Sequence, residues 1–334
     1  MAEMMPHTHI IGTGSSIPKR ILSNKDLEGI VDTTDEWIIQ RTGIKERRIS
    51  VKGERESTTD LTTQASVKAI EMAGISPKSL DMIVVGTVTG DRMFPSTACM
   101  VQEALNAENA MAFDVSAGCT GFLYALSMAD NAIQCGTCKN ALVVGVDRLS
   151  SVVNWQDRGT CVLLADGAGA VVVTSATEQG GILSTHLKSD GKLWELLYSS
   201  DGNNHIPKIL QGIDIKPFHL RMDGNRLFKR AVGYLSSIAN EALEHNSLTI
   251  KDIGLLVPHQ ANIRIIKAVS KNLYIPMERV YTNIHRYGNT SSASIPIALD
   301  EANRENMLSK GDHVLFVSFG AGLTWGASIV RWSI

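Results

Sequence analysis

Short apolar, β-branched runs alternate with longer helical patterns along most of the chain. Residues 83–85 and 171–173 are apolar without interruption, as strands buried on both faces of a parallel sheet must be. This alternation predicts an α/β protein whose sheets are covered by helices. A chain of 334 residues is long enough to hold two such units.

The pattern also repeats within the chain at an offset of 170 to 172 positions. The matching segments are 71–73 with 241–243, 81–86 with 252–257, Cys119-Thr120 with Asn289-Thr290, and 141–145 with 313–317. This period is too long for a solenoid, so it predicts two copies of one α/β unit. We expect an N-terminal half at residues 1–178 and a C-terminal half at 179–334, divided at a turn-rich segment.

Cys119 lies between the predicted end of a buried strand at residues 113–115 and an apolar helix at 121–133. A cysteine at a helix N-terminus faces unpaired N–H groups and the positive end of the helix dipole. Both favour the thiolate, which is the nucleophilic form. Position alone leaves a second interpretation open, because free cysteines are often small buried hydrophobes.

His259 and Asn289 occupy similar places in the second half. Each follows an apolar or extended segment and enters a turn of small residues, where α/β proteins display catalytic groups. Taken singly, a histidine is more often structural, and an asparagine beside glycine often only turns the chain. Together with Cys119 they predict one active site between the two halves.

Composition excludes several classes of protein. The net charge of −2 and pI near 6.5 lack the excess of positive charge that is typical of nucleic-acid-binding proteins. No apolar stretch reaches the ~18 residues of a membrane span. Residues 1–7 lack the features of a signal peptide, so we expect a cytoplasmic protein.

The cysteines predict neither disulfides nor a metal site. Five cysteines are an odd number, and disulfides are rare in the cytosol. Cys135 and Cys138 have redox or zinc spacing, but no second pair of ligands completes a site. We interpret them as packing at a helix end.

Three segments carry a resemblance to a known family: 114–122 around Cys119, 258–262 around His259, and 287–291 around Asn289. They resemble the thiolase superfamily, and specifically the β-ketoacyl-acyl carrier protein (ACP) synthase III family. Residues 32–38, 41–44, 157–160 and 322–326 extend the resemblance along nearly the whole chain. It implies a thiolase-like fold of two duplicated α/β halves in five layers, α-β-α-β-α.

The resemblance also implies a reaction. Cys119 would take a short acyl group, in the first place acetyl, from an acyl-CoA and form an acyl-enzyme. Malonyl-ACP would then lose CO₂ and condense with it to a β-ketoacyl-ACP, which initiates type II fatty acid synthesis. His259 and Asn289 would donate hydrogen bonds to the enolate, and the backbone N–H groups of Cys119 and Ala321 would form an oxyanion hole.

Substrate contacts follow from the same resemblance. Trp37 and Arg158 would sandwich the adenine of coenzyme A, and Thr33, Arg41 and Asn262 would contact its nucleotide or pantetheine arm. Coenzyme A thioester is the substrate, and no metal or redox cofactor is implied.

The resemblance further implies a homodimer and an ACP partner. Phe94, reaching across the dimer, would limit the primer pocket, which also includes Phe319. Arg264 and Lys267 lie three residues apart on one predicted helix face. With Lys229, they would attract the acidic carrier protein despite the net charge of −2.

Two other functions stay open at this point. A starter or acyl-transfer condensing enzyme of secondary metabolism, of polyketide or quinolone type, can carry the same three catalytic residues. A non-catalytic partner subunit of this fold should lack the nucleophile. Because Cys119, His259 and Asn289 are all present, we expect an enzyme.

Overall fold

The computed structural model describes residues 6–201, 209, 211–214 and 216–334. Its strands are β1 (His7–Ser16), β2 (Arg20–Ser23), β3 (Glu46–Ile49), β4 (Met82–Gly86), β5 (Met111–Val115), β6 (Asn140–Arg148), β7 (Asp166–Ala176), β8 (Gly181–Ser189), β9 (Leu197–Asp201), β10 (Phe218–Met222), β11 (Ile253–Pro258), β12 (His313–Gly320) and β13 (Thr324–Arg331). Its helices are α1 (Asn24–Glu28), α2 (Asp35–Thr42), α3 (Thr58–Ala73), α4 (Thr97–Leu105), α5 (Gly121–Gln134), α6 (Arg158–Cys161), α7 (Gly224–His245), α8 (Ile263–Leu273), α9 (Ile284–Tyr287) and α10 (Ser294–Arg304). Residues 1–5, on which the signal-peptide expectation partly rests, lie outside the described residues.

Two larger sheets have matching topology. The first has the order β1-β7-β6-β4-β5 and the second β8-β13-β12-β11. In the first, β4 is parallel to β5 and β6, whereas β7 is antiparallel to β6 and β1. In the second, β11 is parallel to β12, and β13 is antiparallel to β12 and β8. In the second sheet, a parallel bridge between Leu256 and Val280 occupies the position that β5 has in the first. The two halves therefore share one topology, and the predicted duplication is confirmed.

The sheets and helices stack in five layers. Because successive strand residues point to opposite faces, Ile83 packs with α3 and α4 whereas Val84 packs with α5 and α10. Helices α5 and α10 form the central layer between the sheets, and α7 and α8 cover the outer face of the second sheet. The order is the predicted α-β-α-β-α. The division at 178/179 falls between β7 and β8, and its status as a boundary between two units stays a prediction.

Strand β5 differs from the sequence-based expectation of a buried strand. It is the edge of the first sheet, and Met111 at its start is 48% exposed. An edge strand leaves a row of backbone N–H and C=O groups without strand partners. The residue pattern could not reveal this, because it does not report the order of strands in a sheet.

Two glycines let the central layer approach the first sheet closely. A Cβ at Gly86 would lie 2.4 Å from the carbonyl carbon of Gly121, where α5 begins. A Cβ at Gly145 would lie 2.2 Å from the carbonyl oxygen of Ser292, in the turn before α10. Neither the Gly121 carbonyl nor the Ser292 carbonyl can move aside unless the whole turn that contains it shifts.

We expect Gly145→Ala to lower the free energy of unfolding by about 1–3 kcal/mol, because the added methyl overpacks the core. Gly233→Ala is the control, since Gly233 is exposed within α7 and a Cβ there meets nothing within 4 Å. Alanine should stabilise that helix by up to about 1 kcal/mol. Equal urea-unfolding midpoints for the two variants would contradict the close approach.

Candidate active site

Cys119, His259 and Asn289 line one cavity of about 130 Å³, here called the reaction cavity. They come from the turn before α5, the end of β11 and the segment between α9 and α10. Phe319, predicted for the primer pocket, lines the same cavity. The structure therefore brings together the three groups that the sequence pattern singled out.

Cys119 lies in one turn of 3₁₀ helix, Gly118–Thr120, between β5 and α5. The Ser318 hydroxyl donates to the Cys119 carbonyl at 2.9 Å, and the Thr324 hydroxyl donates to the Ala117 carbonyl at 2.9 Å. Side chains of the second sheet thus hold the turn of the first half that carries Cys119.

Burial acts against the thiolate form that the sequence predicts for Cys119. Burial raises the pKa of Cys119 to about 11, and the negative charge of Asp147 also raises it, whereas the Ser291 hydroxyl acts in the opposite direction. Helix α5 begins at Gly121, directly after the 3₁₀ turn that contains Cys119, and burial is the largest cause of the raised pKa. The resting side chain is a thiol at neutral pH.

His259 is a neutral imidazole. Burial lowers the pKa of His259 to about 3. Its Nδ1 lies 2.6 Å from the Ser294 hydroxyl, which accepts a hydrogen bond from the Gln260 N–H at 3.3 Å. If the Ser294 hydroxyl donates to Nδ1, the imidazole proton is on Nε2. His259 then presents an N–H donor to the cavity.

Asn289 is fixed by its backbone and by its side-chain oxygen. Its N–H donates to Leu163 and its carbonyl accepts from Ala165, both at 2.9 Å. Its Oδ1 accepts from the Ser291 N–H at 2.8 Å. The amide nitrogen is therefore the end of the side chain that is left to donate to a substrate oxygen.

The loop at residues 320–322 lies against the Cys119 turn. A Cβ at Gly320 would be 2.5 Å from the Cys119 nitrogen, and one at Gly118 would be 2.8 Å from the Ala321 nitrogen. Ala321 is not among the residues with positive φ, so its backbone suits an alanine. The two N–H groups predicted for the oxyanion hole, those of Cys119 and Ala321, belong to adjoining turns.

A second space, here called the outer groove, measures about 520 Å³ and leads to the surface. Trp37, Arg41, Arg158 and Asn262 line it. The Arg158 guanidinium lies 4.7 Å from the centroid of the Trp37 ring. A sandwiched base needs about 7 Å between its two neighbours. The predicted sandwich therefore requires Arg158 and Trp37 to separate.

The remaining predicted coenzyme A contacts differ in position. Asn262 caps α8 and donates through Nδ2 to the Arg41 carbonyl at 3.0 Å, which joins the second half to α2. Thr33 does not line the outer groove. Its hydroxyl is buried and has no hydrogen-bond partner in the described structure.

A third space, here called the inner cavity, measures about 310 Å³ and was not predicted from the sequence. Ser116 and Ala321 line it beside the Cys119 turn. Its apolar side chains are Val88, Leu149, Val152, Leu197, Phe218 and Leu220. They come from separate segments without a shared motif, so no local pattern indicated them. Phe94 is 81% exposed and lines none of these three spaces.

The predicted docking residues lie on two adjoining helices, α7 and α8. Lys229 and Arg264 line the outer groove, whereas Lys267 lies outside it on the exposed face of α8. The Arg264 guanidinium lies 5.3 Å from the centroid of the Phe228 ring. The cationic side chains thus flank the entrance to the site.

Neither a metal centre nor a membrane span is found within the described ranges. No group of three or more His, Cys, Asp or Glu side chains there is arranged to hold a metal ion. All five cysteines are free; Cys135 is exposed at the end of α5, and Cys138 is buried. Every helix in this part of the chain is too short or too polar to cross a lipid bilayer.

Comparison with known proteins gives consistent matches. Residues 113–191 match the family model for 3-oxoacyl-ACP synthase III, and residues 243–332 match the model for its C-terminal part. A β-ketoacyl-ACP synthase III of Caldanaerobacter subterraneus is 49% identical over 324 residues, which are 97% of each chain.

Solved structures extend the match to the fold. The crystal structure of 3-oxoacyl-ACP synthase III from Aquifex aeolicus has a TM-score of 0.89 at 48% identity, covering 97% of this chain and 100% of that one. A priming β-ketosynthase of a polyketide biosynthetic pathway has a TM-score of 0.91 at 35% identity, covering 100% and 98%. The thiolase-like fold predicted from the sequence is confirmed.

The depressed pKa of His259 predicts acid lability. The folded protein keeps this group neutral down to about pH 3, whereas the unfolded chain takes up a proton below about 6.5. Its contribution to stability is therefore present above pH 6.5 and is lost as the pH falls. When the pH is lowered from 7.5 to 5.0, the free energy of unfolding of the wild type should fall by roughly 2 kcal/mol more than that of His259→Asn, as measured by urea unfolding. Equal losses of unfolding free energy in the two proteins would mean that the pKa of His259 is not depressed.

Proposed function

The chain belongs to the β-ketoacyl-ACP synthase III family, and from this premise we propose that Cys119 carries the acyl group in its reaction. The enzyme is an acyltransferase that condenses an acyl-CoA with malonyl-ACP, the initiating step of fatty acid synthesis. The observation that carries the proposed mechanism is the shared lining of the reaction cavity by Cys119, His259 and Asn289.

The three spaces suit the parts of an acyl-CoA. The outer groove and the reaction cavity share five lining residues: Leu163, Met222, Gly224, Phe228 and Asn262. The reaction cavity and the inner cavity share Leu197. In this proposal the nucleotide binds in the outer groove near Trp37 and Arg158, the thioester reaches Cys119, and the acyl chain enters the inner cavity.

Acylation begins with attack of the Cys119 sulfur on the thioester carbonyl. The backbone N–H groups of Cys119 and Ala321 donate to the oxygen of the tetrahedral intermediate, where negative charge develops. Collapse of the intermediate releases coenzyme A and leaves an acyl-Cys119 thioester. One difficult condensation is thereby divided into two easier steps.

Condensation then takes place on malonyl-ACP. Loss of CO₂ leaves an enolate, to which His259 Nε2–H and the Asn289 amide donate hydrogen bonds. The carbanion attacks the acyl-Cys119 carbonyl, forms the new C–C bond and releases the cysteine, which gives a β-ketoacyl-ACP. These donors stabilise the developing charge themselves, so the proposed chemistry uses no metal or redox cofactor.

Charge and exposure support the proposed partners. Lys229, Arg264 and Lys267 flank the outer groove and would attract an acidic carrier protein. A homodimer is supported by the open edge of β5 and by the exposed side chains of Met93 and Phe94, which are 96% and 81% accessible. The cytoplasmic location stays a prediction.

A priming enzyme of polyketide synthesis is the second candidate. The inner cavity, at about 310 Å³, is more than twice the size of the reaction cavity at about 130 Å³, which favours a primer longer than acetyl. The proposal of an acetyl primer depends on Phe94, which would act only from a second copy of the chain.

Incubation with acyl-CoAs from acetyl to decanoyl, followed by intact mass and peptide mapping, tests the proposal. We expect an acyl adduct on Cys119, strongest for acetyl and weaker as the chain lengthens. Cys119→Ser should form no adduct, whereas Cys99→Ser, which changes an exposed free thiol, should retain it. A preference for long chains would favour the polyketide candidate. An undiminished adduct in Cys119→Ser would exclude Cys119 as the nucleophile.

His259→Ala and Asn289→Ala should separate the two half-reactions. Each removes a donor to the enolate, so malonyl-ACP decarboxylation should fall about 10²–10³-fold. Acetylation of Cys119 should fall less than tenfold, because its proposed oxyanion donors are backbone N–H groups. The two rates are measured separately by release of ¹⁴CO₂ and by intact mass. Equal losses in both would contradict the assigned roles.

A further inference from the structure

The proposed role of His259 depends on which of its two ring nitrogens carries the proton. Burial lowers the pKa of His259 to about 3, so at neutral pH the imidazole has one protonated and one unprotonated nitrogen. With the proton on Nε2, that atom can donate a hydrogen bond to an enolate oxygen. With the proton on Nδ1, the Nε2 lone pair would instead face the developing negative charge, which is unfavourable.

Within the described residues, one side-chain group hydrogen-bonds to the His259 ring. Nδ1 lies 2.6 Å from the Ser294 hydroxyl, and both residues are buried, at 5% and 2% exposure. Nε2 makes no hydrogen bond to the described part of the chain, and the side chain lines the reaction cavity. The Ser294 hydroxyl is therefore the group of the protein that can favour one protonated form over the other.

The hydrogen-bonding capacity of Ser294 sets the direction of this contact. A serine hydroxyl has one hydrogen to donate and two lone pairs that accept. One lone pair faces the Gln260 N–H at 3.3 Å, a group that cannot accept. Among the described residues, His259 Nδ1 is the one acceptor within hydrogen-bond distance of the hydroxyl. If Nδ1 carried the proton, the Ser294 hydrogen would be buried without an acceptor, which is unfavourable.

We propose that Ser294 is a positioning residue that holds the proton of His259 on Nε2 by donating a hydrogen bond to Nδ1. This inference rests on the proposed function, in which His259 Nε2–H stabilises the enolate of malonyl-ACP. The serine neither takes nor gives up a proton during the reaction, and it acts only through the imidazole. The contact also fixes the rotation of the ring, because turning the ring would carry Nδ1 away from the hydroxyl.

The residue type at position 294 suits a histidine that donates a hydrogen bond and not one that removes a proton. A carboxylate beside Nδ1 would only accept, so it would require Nδ1–H and leave Nε2 with a lone pair. It would also stabilise the imidazolium, as in hydrolases whose histidine acts as a general base. A neutral hydroxyl donates to Nδ1 and adds no negative charge. Ser294 thus keeps His259 uncharged with its donor on the cavity side.

The fold holds both partners of this contact in place. Ser294 is the first residue of α10, in the central layer, and His259 directly follows β11 of the second sheet. The neighbouring Gln260 donates through Nε2 to the Pro258 carbonyl at 2.8 Å and to the Tyr281 carbonyl at 3.2 Å. These bonds tie the turn after β11 to the adjoining segment. The ring is therefore presented to the hydroxyl by a backbone that is held independently of Ser294.

The protonation of each ring nitrogen can be observed directly. In protein labelled with ring-¹⁵N histidine, long-range ¹H–¹⁵N spectra at pH 7 distinguish a protonated from an unprotonated nitrogen. Couplings to the two ring C–H groups distinguish Nε2 from Nδ1, and the His259 signals are identified by their absence from His259→Asn. We expect Nε2 to be protonated and Nδ1 unprotonated in the wild type. A proton on Nδ1 would overturn the proposal.

Ser294→Ala tests whether the hydroxyl matters for the reaction. In this variant neither protonated form gains a hydrogen bond at Nδ1, so malonyl-ACP decarboxylation should fall about tenfold. Acetylation of Cys119 should keep the wild-type rate, because its proposed oxyanion donors are backbone N–H groups. Ser292→Ala is the matched control, since that buried hydroxyl two residues earlier has no hydrogen-bond partner in the described structure. It should keep both rates.

A double-mutant cycle separates positioning of the ring from a general structural effect. In the His259→Ala background, Ser294→Ala should cause no further loss of decarboxylation, because the hydroxyl has no imidazole left to hold. A further loss of about tenfold in that background would overturn the proposal. Unchanged decarboxylation in Ser294→Ala, or an equal fall of both half-reactions, would overturn it as well.

Failure of the proposed function would look different. A wild-type rate of decarboxylation in His259→Ala alone would refute the donor role of His259, whatever the spectra show for its ring nitrogens. The wild-type spectrum needs no substitution at Ser294, so it decides the direction of the hydrogen bond even where Ser294→Ala does not fold.

Discussion

The close approach of two turns from different halves is the constraint on which the site depends. The turn of Cys119 and the turn of Asn289 meet in the central layer, where Gly86 and Gly145 leave no room for a Cβ. Hydroxyls of β12 and β13 hold the first turn, and backbone bonds to Leu163 and Ala165 hold the second. Packing in the core therefore sets the geometry of the groups that line the reaction cavity.

That packing also sets the charges of the site. Removal of water raises the pKa of Cys119 and lowers that of His259, so both are neutral in the resting protein. Neutral His259 suits donation to an enolate. Its remaining N–H proton is not acidic at neutral pH, so the imidazole can donate a hydrogen bond without transferring that proton to the enolate. A neutral thiol, in contrast, has to be deprotonated during the reaction. Desolvation thus favours the proposed role of His259 and opposes formation of the Cys119 thiolate.

The sequence revealed what is encoded locally. Uninterrupted apolar runs such as residues 83–85 mark central strands, and the constant offset between halves marks the duplication, so the layers were predictable. Cys119 and His259 follow strands β5 and β11 as predicted, whereas Asn289 follows helix α9 and not a strand. The contact of Ser294 with His259 Nδ1 was not predictable, because it joins segments that are distant in sequence. The thiolate predicted for Cys119 rests on helix position, which is visible in the sequence, whereas the desolvation that raises the pKa of Cys119 is a property of the whole fold.

The duplication places Cys119 and Asn289 at equivalent points of two similar halves. A symmetric scaffold would offer two identical groups, but here one copy supplies a thiol, which we propose forms the acyl bond, and the other an amide, which we propose binds the enolate. Neither half alone contains a complete set of reacting groups. Covalent fusion of the copies therefore guarantees the stoichiometry of the site: each chain that folds carries one Cys119 and one Asn289, with no need for two separate proteins to find each other.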